Sequence, residues 1–182
     1  MIERPVCPLF SLFWESESKI EQTNSSVSWK EPRGKAVIDL ILRDSQSHPD
    51  IFIWRGPLLA SAIEDWEHMH LLSAPEDLRQ LWCLKGGGDL FESETLLQPF
   101  GAEDYDLIES VSSVFWGKGL STDYFVFHTG IVDSVFRKSD GALFSLGSSD
   151  LHQMSQFRGL DEWYVSTLPS VFAEKYGLEA LV

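Results

Sequence analysis

The stretch SAPEDLRQLWCLKGGGDLFESE, Ser73 to Glu94, decides how this chain folds. Pro75 suits the first position of a helix, where its missing N–H is not needed, and the two acids that follow complement the helix dipole. Gly86 suits the left-handed position after the helix, and the next two glycines allow a sharp turn into an acidic loop. Apolar residues at helical spacing predict the buried face of this helix: Leu78, Leu81 and Trp82.

The sequence on either side predicts one more helix before this stretch and a group of strands after it. An apolar residue recurs every three or four positions from Leu59 to Met69, as in an amphipathic helix. Residues 123–129, DYFVFHT, predict a strand, and residues 131–147 predict a β-hairpin with Asp-Gly in its turn. Residues 157–168 predict a closing helix, which Pro169 either bends or follows with a new turn, whereas residues 105–117 fit a helix and a strand equally well.

The first third of the chain predicts an extension of the main domain. Residues 36–44, AVIDLILRD, and residues 50–56, DIFIWRG, are apolar and β-branched enough for two strands joined as a hairpin. We assign residues 1–57 to an extension that packs on the core and residues 58–182 to the main domain. Helices placed between groups of strands, without strict alternation, predict an α+β fold with a mostly antiparallel sheet packed against helices.

Composition limits the class of partner. The chain has 182 residues, with 28 acids against 14 Lys and Arg and a net charge of -14. Such a charge disfavours direct binding to nucleic acid. The two cysteines have no metal or redox spacing, and no run approaches the roughly 18 apolar residues of a membrane span. The apolar run near the N-terminus is interrupted by Pro5 and Pro8, unlike a secretion signal. We therefore expect a cytoplasmic protein that binds neither nucleic acid nor membrane.

The acidic charge is concentrated in one segment. No Lys or Arg occurs between Lys85 and Lys118. Such one-sided charge suits either a solubilising face or the binding surface for a basic protein. Trp116 stands beside glycines in a loop-like stretch, so we expect it to be an exposed aromatic anchor for the same partner. Seven carboxylates complete the predicted site: Asp89, Glu92, Glu94, Glu103, Asp104, Asp106 and Glu109.

Motifs for catalysis and metal binding are weak. The glycines of KGGGD follow a helix, whereas a P-loop follows a strand and continues into GK[ST]. The acids after these glycines could supply ligands for a cation, but they lack the regular spacing of ligands in the loop of an EF-hand. His68 and His70 diverge by about 200° on a helix and do not share a metal from one face. Cys83 is most simply a buried small residue, and a Cys83–His128 nucleophile pair stays open as an alternative.

Residues 62–91, AIEDWEHMHLLSAPEDLRQLWCLKGGGDLF, resemble the opening module of the SUKH superfamily, the Smi/Knr-like fold. That module has a helix ending in an aromatic–acid pair, here Trp66-Glu67, followed by a proline-led helix and a glycine-rich turn. The resemblance extends more loosely to Leu168, through LLQPF, the later strands and the closing helix. Ala74 and Lys85 stand where the family usually has Leu and Asn.

The resemblance implies a curved sheet packed against helices and a protein that works without cofactors or catalytic residues. Many bacterial members look like immunity proteins, which bind and block a cognate toxin, often a nuclease, and others are regulatory interaction modules. A nuclease is basic where it meets phosphate, so an acidic inhibitor gains steering and specificity by mimicking the polyanion. We therefore predict an immunity protein that occludes a basic toxin through its acidic segment, with a scaffold module and an enzyme as alternatives.

Overall fold

The computed structural model of this chain describes residues 35–147, 151 and 154–177, so most of the predicted extension, residues 1–34, lies outside the described part. Six helices lie within those residues: α1 Lys35–Ser47, α2 Ala60–His70, α3 Glu76–Lys85, α4 Ile108–Gly117, α5 Leu160–Thr167 and α6 Pro169–Tyr176. Seven strands accompany them: β1 Phe52–Trp54, β2 Gly88–Leu90, β3 Glu94–Leu96, β4 Tyr124–Thr129, β5 Ser134–Arg137, β6 Leu143–Leu146 and β7 Met154–Phe157. A 3₁₀ turn, Asp104–Asp106, precedes α4.

The strands form one open sheet in which each strand lies beside its neighbours in the sequence. The order is β1 to β7 and every pair is antiparallel. Helices α2 and α3 lie in the connection from β1 to β2, and α4 lies in the connection from β3 to β4. The predicted α+β fold with an antiparallel sheet against helices is therefore confirmed.

Aromatic rings join the helices to the centre of the sheet. Phe125 of β4 lies 5.8 Å from Trp66 of α2 and 5.2 Å from Trp116 of α4, measured between ring centroids. Trp82 of α3 is fully buried, stands edge-on to Trp66 and donates a hydrogen bond from Nε1 to the carbonyl of Leu97 at 3.0 Å. Large rings dominate core energetics because each buries roughly 150–250 Å². This cluster therefore fixes three helices against β4.

The predicted N-terminal hairpin is wrong. Residues 36–44 belong to helix α1, and β1 pairs with β2 instead. Ile38 and Ile41 bury one face of α1, and the buried Asp44 accepts a hydrogen bond from the hydroxyl of Tyr164 on α5 at 2.8 Å. A short apolar run suits a buried helix as well as a strand, which explains the error. The described residues before position 58 thus pack into the core of the main domain.

The other predicted elements are confirmed, and two ambiguous segments are settled. Helices α2, α3 and α5, strand β4 and the β5–β6 hairpin lie where the sequence places them, and Gly141 takes the positive φ of the hairpin turn. Residues 108–117 form a helix, and Pro169 begins α6. Strand β7 was not predicted, because its short sequence, MSQF, has no apolar alternation.

The three consecutive glycines stand where strands approach closely rather than in a loop. Gly86 has the predicted positive φ of 75°, but its ψ of -154° lies outside the left-handed helical region, and a Cβ there would overlap the carbonyl oxygen of Gly56. A Cβ on Gly87 or Gly88 would overlap a backbone oxygen of the β3 segment or of β1. The chain that follows forms the β2–β3 hairpin, so the prediction of an acidic loop is wrong.

Candidate functional site

Asp89 and Asp106 meet at one guanidinium, that of Arg55. Arg55 Nη2 lies 3.0 Å from Asp89 Oδ2 and 2.7 Å from Asp106 Oδ2, and Arg55 Nε donates to Asp106 Oδ2 at 3.0 Å. Burial lowers the pKa of Arg55, but the two carboxylates raise it by more. Asp106 is buried, and Asp89 is only partly exposed. Their charges are therefore largely committed within the fold, and Asp106, which the sequence predicts as a partner contact, lies buried against Arg55.

Gln98 holds the segment that carries Asp106 against the glycines. Its buried side chain accepts a hydrogen bond from the N–H of Gly87 at 2.8 Å and donates one to the carbonyl of Phe100 at 2.8 Å. Its backbone N–H donates to the carbonyl of Asp106 at 3.0 Å, and its carbonyl accepts from the N–H of Ile108 at 3.0 Å. These four bonds fix residues 100–108 and the start of α4 beside β2 and β3.

Glu103, Asp104 and Glu109 remain exposed on the same segment. Glu103 lines a groove of about 460 Å³ with Arg55 and Tyr105, and the Tyr105 side chain is 70% exposed. Glu109, in the first turn of α4, is 61% exposed and has Oε2 3.6 Å from His70 Nε2. Among the described residues, no Lys or Arg forms an ion pair with any of these three acids. We call Glu103, Asp104, Tyr105 and Glu109 the acidic surface.

Glu92 and Glu94 make contacts elsewhere. Glu92 lies in the β2–β3 turn, where a hydrogen bond from Lys175 Nζ at 2.9 Å lowers its pKa. Glu94 lies on β3 and is 1% exposed, with Oε2 3.2 Å from Nε2 of the fully buried His128. The N–H of Ile131 donates to both carboxylate oxygens, at 3.1 and 3.2 Å. Glu94, which the sequence predicts as a partner contact, is therefore turned into the fold rather than to the surface.

The Glu94–His128 contact joins β3 to β4, and the bonds from the Ile131 N–H join Glu94 to the turn between β4 and β5. His128 Nδ1 lies 3.2 Å from the carbonyl oxygen of Val132, so both ring nitrogens face acceptor oxygens. The Nε2–Oε2 approach of 3.2 Å lacks the direction of a hydrogen bond. Burial raises the pKa of Glu94, but His128 and the Ile131 N–H lower it by more. The carboxylate also fills the space that a Cβ on Gly130 would need, which requires glycine there.

Trp116 lies on α4 rather than in a loop, and its side chain is half-buried. Its Nε1 donates a hydrogen bond to the carbonyl of Tyr124 at 2.9 Å, and its ring packs against Phe125. The ammonium of Lys138 lies 4.9 Å from the centroid of the Trp116 ring and covers it. The prediction of an exposed anchor is wrong, because the polar atom and the ring both have internal partners. The exposed aromatic side chain of this region is that of Tyr105.

Sequence reasoning missed Arg55, Gln98 and Tyr105. Arg55 is 34 positions from Asp89 and 51 from Asp106, so no local pattern indicates the cluster. Gln98 had a readable signal, a polar residue within the apolar stretch LLQPF. Tyr105 had one too, since an aromatic residue between two acids is typical of an interface rather than of a core.

His128 and Cys83, which the sequence raises as a possible nucleophile pair, both lie inside the fold. His128 contacts Glu94, Val132 and the ring of Trp163, and Cys83 is buried on α3 as the sequence predicts. No group of three or more His, Cys, Asp or Glu among the described residues is placed to hold a metal ion. No helix in that part of the chain is long and apolar enough to span a membrane.

Comparison with known proteins adds no relative. No protein-family model, no curated protein and no solved structure matches this chain. The geometry of the acidic surface and the charge of the chain therefore carry the functional argument.

Proposed function

We propose that this chain is a cytoplasmic immunity protein that binds the basic active-site region of a cognate toxin and occludes it, as the sequence resemblance implies. The observation that carries the proposal is the acidic surface. Three exposed carboxylates, for which the described residues supply no Lys or Arg partner, flank an exposed tyrosine within seven residues of chain. Tyrosine is enriched among binding hot spots because it offers a large contact area at low conformational cost.

The charge of the whole chain supports the same partner chemistry. A net charge of -14 creates a field that attracts a cationic protein and speeds its association. Electrostatic steering raises association rates from about 10⁵–10⁶ to as much as 10⁸–10⁹ M⁻¹s⁻¹ at low salt. Because the Debye length is about 8 Å at physiological ionic strength, the exposed carboxylates act mainly at close range there. Binding through this surface is therefore expected to weaken as salt is added.

The proposed contact set is smaller than the set predicted from the sequence. It keeps Glu103, Asp104 and Glu109 and replaces Trp116 with Tyr105 as the aromatic contact. Asp89 and Glu92 lie outside it, because each already has an ion-pair partner on the chain.

The test is rescue by co-expression with the toxic product of the neighbouring gene, followed by calorimetry of the purified pair at low and high salt. The key variant combines Glu103→Lys, Asp104→Lys and Glu109→Lys. The matched control makes the same change of charge at three other exposed acids: Asp39, Asp50 and Glu174. We expect the key variant to lose rescue and to bind at least about tenfold more weakly, with the control close to wild type at equal salt.

Two results would contradict parts of the proposal. Rescue with salt-insensitive binding would keep the immunity function and refute the acidic mechanism. If the chain neither protects against a toxic neighbour nor binds it, the immunity function is refuted, and a scaffold or regulatory module becomes the better interpretation.

A further inference from the structure

The end of α2 carries two large apolar side chains that the fold leaves in solvent. Met69 is 76% exposed and Leu71 is 89% exposed, the highest values among the large hydrophobic residues of the described chain. Scattered apolar residues on a surface need no explanation, whereas these two stand only two positions apart at one helix end, and we call them the apolar patch. Neither side chain contributes more than a small part of its area to the core.

The backbone makes leucine an unfavourable choice at position 71. Leu71 has φ 51° and ψ 48°, the left-handed conformation that usually ends a helix with glycine because a Cβ is strained there. The N–H of Leu72 donates to the carbonyl of Glu67 at 3.1 Å, which closes the helix end, and Leu72 packs against the core. Glycine at position 71 would satisfy the same geometry without strain. The leucine side chain is therefore better explained by an external contact than by the fold.

His70 places this patch beside the acidic surface. Its ring packs against Trp66 and Phe125, with centroid distances of 5.4 and 5.7 Å, so the end of α2 is held firmly. Its Nε2 lies 3.6 Å from Oε2 of Glu109, a member of the acidic surface. The residue between Met69 and Leu71 in the sequence thus contacts one carboxylate of the acidic surface, that of Glu109.

We propose that Met69 and Leu71 are the apolar anchor of the interface, inserting into an apolar pocket that basic side chains surround on the partner. This inference rests on the proposed function and adds the chemistry of the partner surface. Interfaces bury a few apolar anchors at their centre and surround them with charged contacts. The partner's pocket is expected to have basic side chains at its rim, because the exposed carboxylate of Glu109 lies beside His70 at the end of α2 and would pair with them.

The experiment uses the purified product of the neighbouring gene as the probe and calorimetry at two salt concentrations. Leu71→Gly and Met69→Ala each remove one anchor side chain. Glycine is favoured at the helix end and alanine within the helix, so neither change should disturb α2. Val171→Ala, which trims an exposed aliphatic side chain on α6, is the matched control. We expect each anchor variant to bind about tenfold more weakly or worse at both salt concentrations. The control binds as wild type does.

Stability separates loss of the anchor from loss of the fold. Leu71→Gly is expected to keep or raise the midpoint of thermal unfolding, because it relieves the left-handed strain, while it lowers affinity. If the wild-type chain binds and both anchor variants bind equally well, this inference is overturned and the proposed function stands. If the wild-type chain neither protects against nor binds a toxic neighbour, the proposed function fails and the inference fails with it.

Discussion

Replacing Glu94 with glutamine tests the buried contact between β3 and the β4–β5 turn. The substitution keeps the shape of the side chain and one acceptor oxygen but removes the charge opposite His128. It also weakens the bonds that the carboxylate accepts from Ile131 N–H at 3.1 and 3.2 Å and from Ser93 Oγ at 3.0 Å. A hydrogen bond to a charged group contributes about 1.5–3 kcal/mol. Because glutamine retains part of the hydrogen bonding, we expect a loss of about 2–4 kcal/mol in the free energy of unfolding.

The same variant is expected to change how stability depends on pH. The pKa of Glu94 is lower in the folded chain than its ordinary value of 4.5. A carboxylate with a lowered pKa adds stability that is fully present above its unfolded pKa and is lost as pH falls through the folded pKa. The difference between wild type and Glu94→Gln should therefore be constant near neutral pH and shrink below about pH 4.5.

Urea unfolding followed by tryptophan fluorescence measures the loss in the free energy of unfolding and its dependence on pH, and a thermal scan gives an independent check. At neutral pH the variant should unfold at a midpoint roughly 4–16 °C lower in a thermal scan, since 1 kcal/mol corresponds to about 2–4 °C at this chain length. Glu92→Gln is the control, since its ion pair with Lys175 is exposed and contributes little. A loss below about 1 kcal/mol for Glu94→Gln, or a loss that persists unchanged into acid, would refute the proposed role of the buried charge.

Three further substitutions test other parts of the structure. Gly86→Ala should lower the free energy of unfolding in urea by about 2–4 kcal/mol, because the added Cβ would overlap the carbonyl of Gly56 and φ at this position is positive. An unchanged midpoint would contradict this packing. Tyr164→Phe should cost about 1–3 kcal/mol in the same assay, because Oδ2 of buried Asp44 loses its donor while Arg43 still contacts Oδ1. A neutral result would place water or another donor at Oδ2. Trp116→Phe should lower the free energy of unfolding by about 1 kcal/mol, because the hydrogen bond from Nε1 is lost, and should leave the partner affinity in calorimetry unchanged. A large loss of affinity would instead show that Trp116 is an anchor for the partner.

Local patterns in the sequence were sufficient for most helices and for the central strands. Residues 76–85 carry a helix start, a periodic apolar face and a glycine stop, and all three signals agree. Strand β4 and the β5–β6 hairpin are apolar segments with a turn that only glycine suits. The prediction for α1 failed because residues 36–44 have enough apolar positions to suit either a helix or a strand, and packing against α3 and α5 decides between them.

The candidate site was harder to predict because long-range contacts decide which acids are exposed. In the sequence, Asp104 and Asp106 look alike, yet one is exposed and the other is buried against Arg55. Glu92 and Glu94 also look alike, but the alternation of β3 turns Glu94 inward to His128. Charge density in a segment predicts an acidic region, and tertiary pairing selects which of its members a partner meets.

The sequential order of the sheet has a consequence for folding kinetics. Each strand pairs with the next one along the chain. The pairs β2–β3, β4–β5, β5–β6 and β6–β7 join residues close in sequence, and such contacts form early, whereas helices separate β1 from β2 and β3 from β4. The hydrogen bond from Tyr164 to Asp44 joins residues 120 positions apart, which makes it one of the entropically most expensive contacts to close. Docking of α1 on α5 is then a late event, and weakening it should accelerate unfolding more than it slows folding.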